Sequence, residues 1–173
     1  YGGSTDIAKF FNTICLFPKD RQYLSMLFSE EFTLEDLPQW FVLLVHSFGY
    51  ISSSAIAKEA ILKICEAKYI HELHDVIKTL KLGYVDDLNP STNTMEEMLE
   101  LKKNLTKVME KHSMPLKGWA ISHSDPDPSL SSKSHTMVGG WIWHSREDKI
   151  QLRVPDIYIG TKKKGIYLSL IHI

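Results

Sequence analysis

The chain has 173 residues, of which 43% are apolar and 24% charged, and its 20 basic and 21 acidic residues give a formal net charge of −1. This composition is typical of one globular domain, excludes wholesale disorder and offers no run of about 18 uncharged apolar residues that could span a membrane. The near-zero charge also argues against a protein that binds nucleic acid with its whole surface.

The first half of the chain predicts three strands and one helix. Asp6 lies at what reads as the end of a strand, and residues 22–28 alternate polar and apolar side chains, as a strand does. Residues 40–45 are aromatic and β-branched, which predicts a buried strand. The hydroxyls of residues 52–54 are suited to cap a helix that runs to about Lys68.

The second half predicts one long helix and further extended chain. Thr94 and Glu97 have the spacing of a capping box, which begins a helix that ends near His112. The apolar residues of this helix fall on one side, which predicts its core face: Met98, Leu101, Leu105, Val108 and Met109. A strand, a tight turn and a return strand are predicted at residues 80–88, and extended chain at 138–143 and 149–159. The order β-α-β-β-α-β predicts an α+β fold, in which helices pack on one face of an antiparallel sheet.

The acidic residues of the predicted hairpin carry the chemistry. Asp86 and Asp87 follow Tyr84 and Val85 and fall at the tight turn, where carboxylates are good ligands for a hard cation such as Mg²⁺. Taken alone, the Tyr-x-Asp-Asp sequence of residues 84–87 also fits a turn whose carboxylates are merely solvated. If the strand that ends at Asp6 is a neighbour of this hairpin, Asp6 and Asp86 can face each other, but periodicity does not establish that adjacency.

Five motifs in collinear order resemble the palm of a retrotransposon reverse transcriptase, most of all the BEL/Pao group, over about residues 6–164. Each motif is weak alone, and together they are a strong signal. They are Asp-Ile-x-Lys-x-Phe at residues 6–11, Phe-Gly with Ser-Ser at 48–53, Tyr-Val-Asp-Asp-Leu at 84–88, Leu-Lys-Gly-Trp at 116–119 and Val-Gly-Gly-Trp-Ile-Trp at 138–143.

The resemblance implies two-metal catalysis by the acidic residues. Asp6 and Asp86 would ligate both Mg²⁺ ions, with Mn²⁺ as an alternative, while Asp87 would lie nearby as a less direct ligand. The Ile7 carbonyl would complete one metal shell.

The resemblance also implies roles in binding the nucleotide and the primer. Phe11 would reject a 2′-hydroxyl by bulk, and Gly49 would let the backbone approach the nucleotide or template closely. Tyr84 and Lys117 would also belong to the nucleotide site, with Lys117 as a general acid for pyrophosphate. The primer terminus would rest on Val138, Gly139, Gly140 and Trp141.

The implied function is RNA-directed DNA polymerisation, the transfer of dNTPs to a primer 3′ end. The partners would be an RNA or DNA template with its primer, dNTPs, and the protease, ribonuclease H and integrase of the same polyprotein, with no membrane partner. Two cysteines, Cys15 and Cys65, cannot form a disulfide framework and are expected in the core. They indicate a reducing compartment, and the resemblance implies a cytoplasmic virus-like particle, with the nucleus as the alternative.

The domain organisation is expected to be that of a fragment, which by itself would have little or no polymerase activity, whereas the full reading frame would be active. Residues 1–143 would form a ferredoxin-like or RRM-like palm without its fingers and most of its thumb, and 144–167 would begin the thumb or connection. Residues 168–173 fit either a natural strand or helix start or a sequencing scar. Ser54, Gly118 and Gly139 depart from the family pattern, which keeps open a catalytically inactive retroelement remnant as the alternative function.

Overall fold

The computed structural model describes residues 1–29, 38–128, 136–138 and 141–152. Within these ranges the chain forms a mixed α+β fold with small antiparallel sheets. The helices are α1 (Ser53–Cys65), α2 (His74–Leu82) and α3 (Met95–Lys111), besides short 3₁₀ helices at Phe10–Thr13, Pro18–Tyr23 and Lys68–Ile70. The strands are β1 (Gly3–Asp6), β2 (Ser25–Phe28), β3 (Gln39–Val42), β4 (Asp87–Leu88), β5 (Ala120–Ile121), β6 (Thr136–Val138), β7 (Trp141–His144) and β8 (Lys149–Leu152).

The central sheet has the order β4-β1-β5, and both neighbours run antiparallel to β1. Asp6 lies opposite Asp87 in the register of β1 with β4, and Gly3 lies opposite Ile121 in that of β1 with β5. The prediction of one antiparallel sheet is wrong, since the described strands form three separate small sheets. Strands of two to four residues make short ladders, and these do not extend from one sheet to the next.

Strands β2 and β3 pair with each other to form a two-stranded unit, which we call the ribbon. The ribbon lies on the surface, and all eight of its residues are exposed, including Trp40 at 72%. The prediction of a buried strand at residues 40–45 is therefore wrong. Aromatic and β-branched residues favour extended chain, but that preference does not specify what covers the strand.

The third sheet has the order β6-β7-β8. Residues 138–143 were expected to continue as one strand, but Val138 ends β6 and pairs with Trp141 at the start of β7. Gly139 and Gly140 lie outside the described residues. Lys149–Leu152 is extended as predicted, whereas residues 153–159 lie outside the described ranges.

Helix α3 confirms its predicted start and its predicted core face. The Thr94 hydroxyl accepts a hydrogen bond from the Glu97 amide, and the Glu97 carboxylate accepts one from the Thr94 amide. This reciprocal pair satisfies amides that the first turn leaves free. Its buried side chains recur at helical spacing: Met98, Leu101, Leu105, Val108 and Met109.

Helix α1 begins where it was predicted but ends earlier, at Cys65 instead of Lys68. Ser52 makes no side-chain cap. The Ser53 hydroxyl instead donates to the Ser47 carbonyl at 2.8 Å and accepts from the Tyr50 amide at 3.2 Å, so it fixes the loop before the helix.

Helix α2 occupies residues that were expected to start a strand at residue 80. Val76, Thr79 and Leu80 have the spacing of one helical face and are buried, and the helix ends only at Leu82. The hairpin that follows is correspondingly short. Its first arm contributes a single bridge, which pairs Tyr84 with Asp87, the first residue of β4.

One hydrophobic core joins the three α-helices to the central sheet, and it includes Ile7, Ile61, Leu80, Leu88 and Leu105. Cys65 is buried as predicted, but Cys15 is exposed, contrary to prediction. No helix in the described part of the chain is long and apolar enough to cross a membrane.

Candidate functional site

Three carboxylates from two distant parts of the chain meet at one end of the central sheet. Asp6, Asp86 and Asp87 each offer an oxygen, and these oxygens lie within 4.8 Å of one another. We call this group the acidic cluster. Asp6 and Asp86 are partly buried, so their charges are not fully solvated.

Backbone hydrogen bonds hold the acidic cluster together. Asp6 is the last residue of β1 and lies opposite Asp87, and the Ile7 amide donates to the Asp86 carbonyl at 3.0 Å. Tyr84 and Asp87 exchange two bonds of 2.9 Å, which close a tight turn around Val85 and Asp86. The expectation that Asp6 and Asp86 are neighbours is therefore met.

The turn requires an unusual backbone at its first central residue. Val85 has φ of +55°, in the left-handed region that β-branched residues rarely adopt. Its side chain packs against the core, which helps to hold that conformation. Backbone strain of this kind persists only where the surrounding structure enforces it, and it is concentrated at functional sites.

The carboxyls of Asp86 and Asp87 resist ionisation. Burial is the main cause that raises the pKa of Asp86, and the neighbouring Asp6 carboxylate raises it further. Burial also raises the pKa of Asp87, followed by the charges of Asp86 and Asp6. A bound cation would relieve both the repulsion and part of the desolvation cost.

Lys117 lies beside the cluster. Its ammonium donates a hydrogen bond to Asp6 Oδ2, and this bond raises the pKa of Lys117, with smaller contributions from the charges of the three carboxylates. The second oxygen, Asp6 Oδ1, is buried and has no hydrogen-bond partner within the described residues.

The predicted nucleotide-site residues lie on separate elements. Phe11 is part of the 3₁₀ helix that follows β1, and its ring contacts Phe10 at 5.7 Å and His46 at 6.2 Å between centroids. Gly49 has φ of +92°, so the backbone itself requires a glycine there, while a Cβ would meet no atom of the described residues within 4 Å. Tyr84, the first residue of the tight turn, is 78% exposed.

Two of the predicted primer residues, Val138 and Trp141, line a cleft of about 640 Å³ between the third sheet and the central sheet. Gly2, Gly3 and Pro90 line the same cleft. Gly139 and Gly140, the other two residues of the predicted primer set, lie outside the described residues.

Asp148 connects the two sheets next to this cleft. Its carboxylate oxygen Oδ1 accepts hydrogen bonds from the Trp143 indole and from the Ser122 hydroxyl, both at 3.0 Å. The Ser122 oxygen in turn accepts from the Gly2 amide at 2.8 Å. The position of the third sheet is thus tied to the strand that carries Asp6.

Sequence reasoning missed His46. The side chain is 2% exposed, stacks on Tyr50 at 6.3 Å, and neither ring nitrogen has a hydrogen-bond partner within the described residues. The only local signal was the apolar run at residues 40–45 before it, and that run does not account for the burial of His46, because β3 is exposed.

Comparison of this sequence with protein-family models and with curated proteins found no match to either.

Proposed function

We propose that the chain is the palm of an RNA-directed DNA polymerase, which transfers dNTPs to the 3′ end of a primer. The observation that carries the proposal is the acidic cluster: carboxylate oxygens of Asp6, Asp86 and Asp87 lie within 4.8 Å at the ends of neighbouring antiparallel strands. The five motifs that resemble reverse transcriptase palms of the BEL/Pao group support the same function.

The donor set of the cluster fits Mg²⁺ or Mn²⁺. Carboxylate oxygens are the ligands that hard cations prefer, and the buried, unpartnered Asp6 Oδ1 is an oxygen available for one. Asp6 and Asp86 would hold the ions, with Asp87 as a less direct ligand. When bound, the two ions lower the pKa of the primer hydroxyl and neutralise charge on the triphosphate.

The contribution of the protein is to hold these carboxylates in place before substrate arrives. The turn around Val85 and Asp86 is closed by two backbone bonds, and the Ile7 amide fixes it to the end of β1. Carboxylates that are already in place need not reorganise during the reaction, which is the main source of electrostatic catalysis.

Phe11 would select the sugar of the incoming nucleotide. The 3₁₀ helix that contains Phe11 begins four residues after Asp6, and contacts with Phe10 and His46 hold its ring. A ring held in this way cannot move aside easily, so a 2′-hydroxyl pressed against it would be rejected by bulk.

Val138 and Trp141, which line the cleft beside the third sheet, would support the primer terminus. Its link to β1 through Asp148 and Ser122 would keep the primer 3′ end in register with the acidic cluster. Correct alignment of the two reacting groups is worth several orders of magnitude in rate.

The test is primer extension on an RNA template by the protein that the full reading frame around this chain encodes. We expect Asp86→Asn to lose at least about 100-fold in rate, because it removes a metal ligand. Glu59→Gln, which removes an exposed carboxylate on α1, should extend like the wild type. Robust extension by Asp86→Asn would contradict the metal role, and no extension by the wild type would contradict the function.

A further inference from the structure

We propose that Lys117 is a counter-ion of the acidic cluster that competes with a divalent cation for Asp6, so that cation binding releases its side chain. This inference rests on the proposed function, since it concerns the cation that Asp6 and Asp86 would hold. It assigns Lys117 a role at the metal site itself, in addition to any contact with the nucleotide.

The backbone places Lys117 beside the cluster independently of its side chain. The Lys117 amide donates to the Asp6 carbonyl at 2.8 Å, and the preceding residue, Leu116, forms an antiparallel bridge with Ile7. The Thr5 hydroxyl also donates to the carbonyl of Gly118 at 3.0 Å. Lys117 is therefore held next to Asp6 by the fold and is not a surface lysine that meets a carboxylate by chance.

The Lys117 side chain bonds only one of the two carboxylate oxygens of Asp6. Oδ2 accepts from the Lys117 ammonium, while Oδ1 is buried and unpartnered within the described residues. A cation that binds Asp6 through both oxygens, or through Oδ2 alone, needs the oxygen that Lys117 occupies. A cation that binds through Oδ1 alone still lies a few ångströms from the ammonium.

Either arrangement brings two positive charges close together. Like charges within a few ångströms repel strongly where solvent is partly excluded, and Asp6 retains only 20% of its side-chain exposure. The Lys117 side chain is 45% exposed, so it can turn out to water without disturbing the core. Cation binding and the Lys117–Asp6 ion pair are therefore mutually unfavourable, and each weakens the other to the same degree.

Removal of the ammonium should have two effects of opposite sign. Lys117→Met leaves three neighbouring carboxylates without their positive partner, so the protein without cation becomes less stable. The same variant no longer repels a cation, so it binds Mn²⁺ more tightly. A lysine with only a structural role would give the first effect without the second.

The experiment is titration of the chain with Mn²⁺, with free ion measured by electron paramagnetic resonance, beside melting in EDTA. We expect Lys117→Met to bind Mn²⁺ about tenfold more tightly or better and to melt at a lower temperature in EDTA. Lys117→Arg, which keeps the charge, should stay near the wild-type affinity. Lys63→Met is the matched control, because it removes an exposed ammonium that is paired with Glu59 and Glu66 near the end of α1.

The outcomes separate this inference from the proposed function. If the wild type and Lys117→Met bind Mn²⁺ with equal affinity, the competition is absent while the metal site stands. Weaker binding by Lys117→Met would also overturn the inference. If neither protein binds Mn²⁺, the metal site of the proposed function fails and the inference fails with it. If Lys63→Met increases the affinity for Mn²⁺ as much as Lys117→Met does, the increase comes from the change in net charge, and the specific role of Lys117 is overturned.

Discussion

Strand β1 has the sequence Gly-Ser-Thr-Asp and its first three residues are buried, whereas β3 has Gln-Trp-Phe-Val and is exposed along its whole length. By residue preference the two should be reversed, since glycine and aspartate are depleted in strands and aromatic residues are enriched. The central sheet gains its burial from position, because β4 and β5 flank β1 and α3 covers it. The site is therefore held by a strand whose residues have low strand preference, and the more strand-like sequence forms a surface ribbon.

The largest expected effect comes from adding atoms to the central strand. A Cβ on Gly3 would lie 2.9 Å from Met98 Sδ and 3.3 Å from the Pro90 ring. We expect Gly3→Val to destabilise the protein by about 1–3 kcal/mol through overpacking, measured by urea unfolding. If the variant is as stable as the wild type, β1 is not packed against α3 as described.

A smaller effect of opposite sign is expected at His46, where the chain enters the core after the ribbon. Both ring nitrogens are buried without a partner in the described residues, which is costly. His46→Leu should stabilise the protein by about 1 kcal/mol, equivalent to about 2–4 °C in melting temperature. A clear loss of stability would mean that the imidazole has a partner in solution, such as a bound water.

A still smaller gain, and one that depends on pH, is expected at the end of the central sheet. The pKa of Asp86 is raised, so the folded state holds that proton more tightly than the unfolded state and loses stability as pH rises through the raised value. Asp86→Asn should therefore melt above the wild type at neutral pH in EDTA. The difference should shrink as pH falls through the raised pKa, as melting scans across pH would show. A constant difference at every pH would rule out this origin.

The smallest effect on stability should come from the removal of the large, exposed side chain of Trp40. Trp40 is 72% exposed, so Trp40→Ser should alter the free energy of unfolding by less than about 0.5 kcal/mol in this chain. Removal of a whole indole from the ribbon would then cost less than the few atoms added at Gly3. A loss of 2 kcal/mol or more would show that the ribbon is buried in solution.

Local signals predicted the parts of the fold that depend on local interactions. The capping box of Thr94 and Glu97 and the buried face of α3 follow from spacing along one helix, and the structure confirms them. The tight turn at Asp86 follows from the neighbouring residues. By contrast, α2 extends through Leu82, where a strand was expected, because short apolar runs fit both periods.

Contacts between distant residues could not be predicted from local pattern. The meeting of Asp6 with Asp86 was expected only through the resemblance, since the sequence pattern indicated the end of a strand at Asp6 but not which strand lies beside it. The ion pair of Lys117 with Asp6 depends on the register of Leu116 against Ile7, which no pattern within either segment specifies. His46 is buried without a hydrogen-bond partner among the described residues, although the ribbon that precedes it lies on the surface.

The positive φ of Val85 has a consequence for the rigidity of the site as distinct from its stability. The valine backbone is strained, while its side chain gains contacts with the core. A glycine at this position would remove both terms, so they would largely cancel in the free energy of unfolding. The turn would nevertheless become free to sample other angles, and Asp86 would be presented over a range of directions. The branched side chain of Val85 thus restricts the orientation of a neighbouring carboxylate at little net effect on stability.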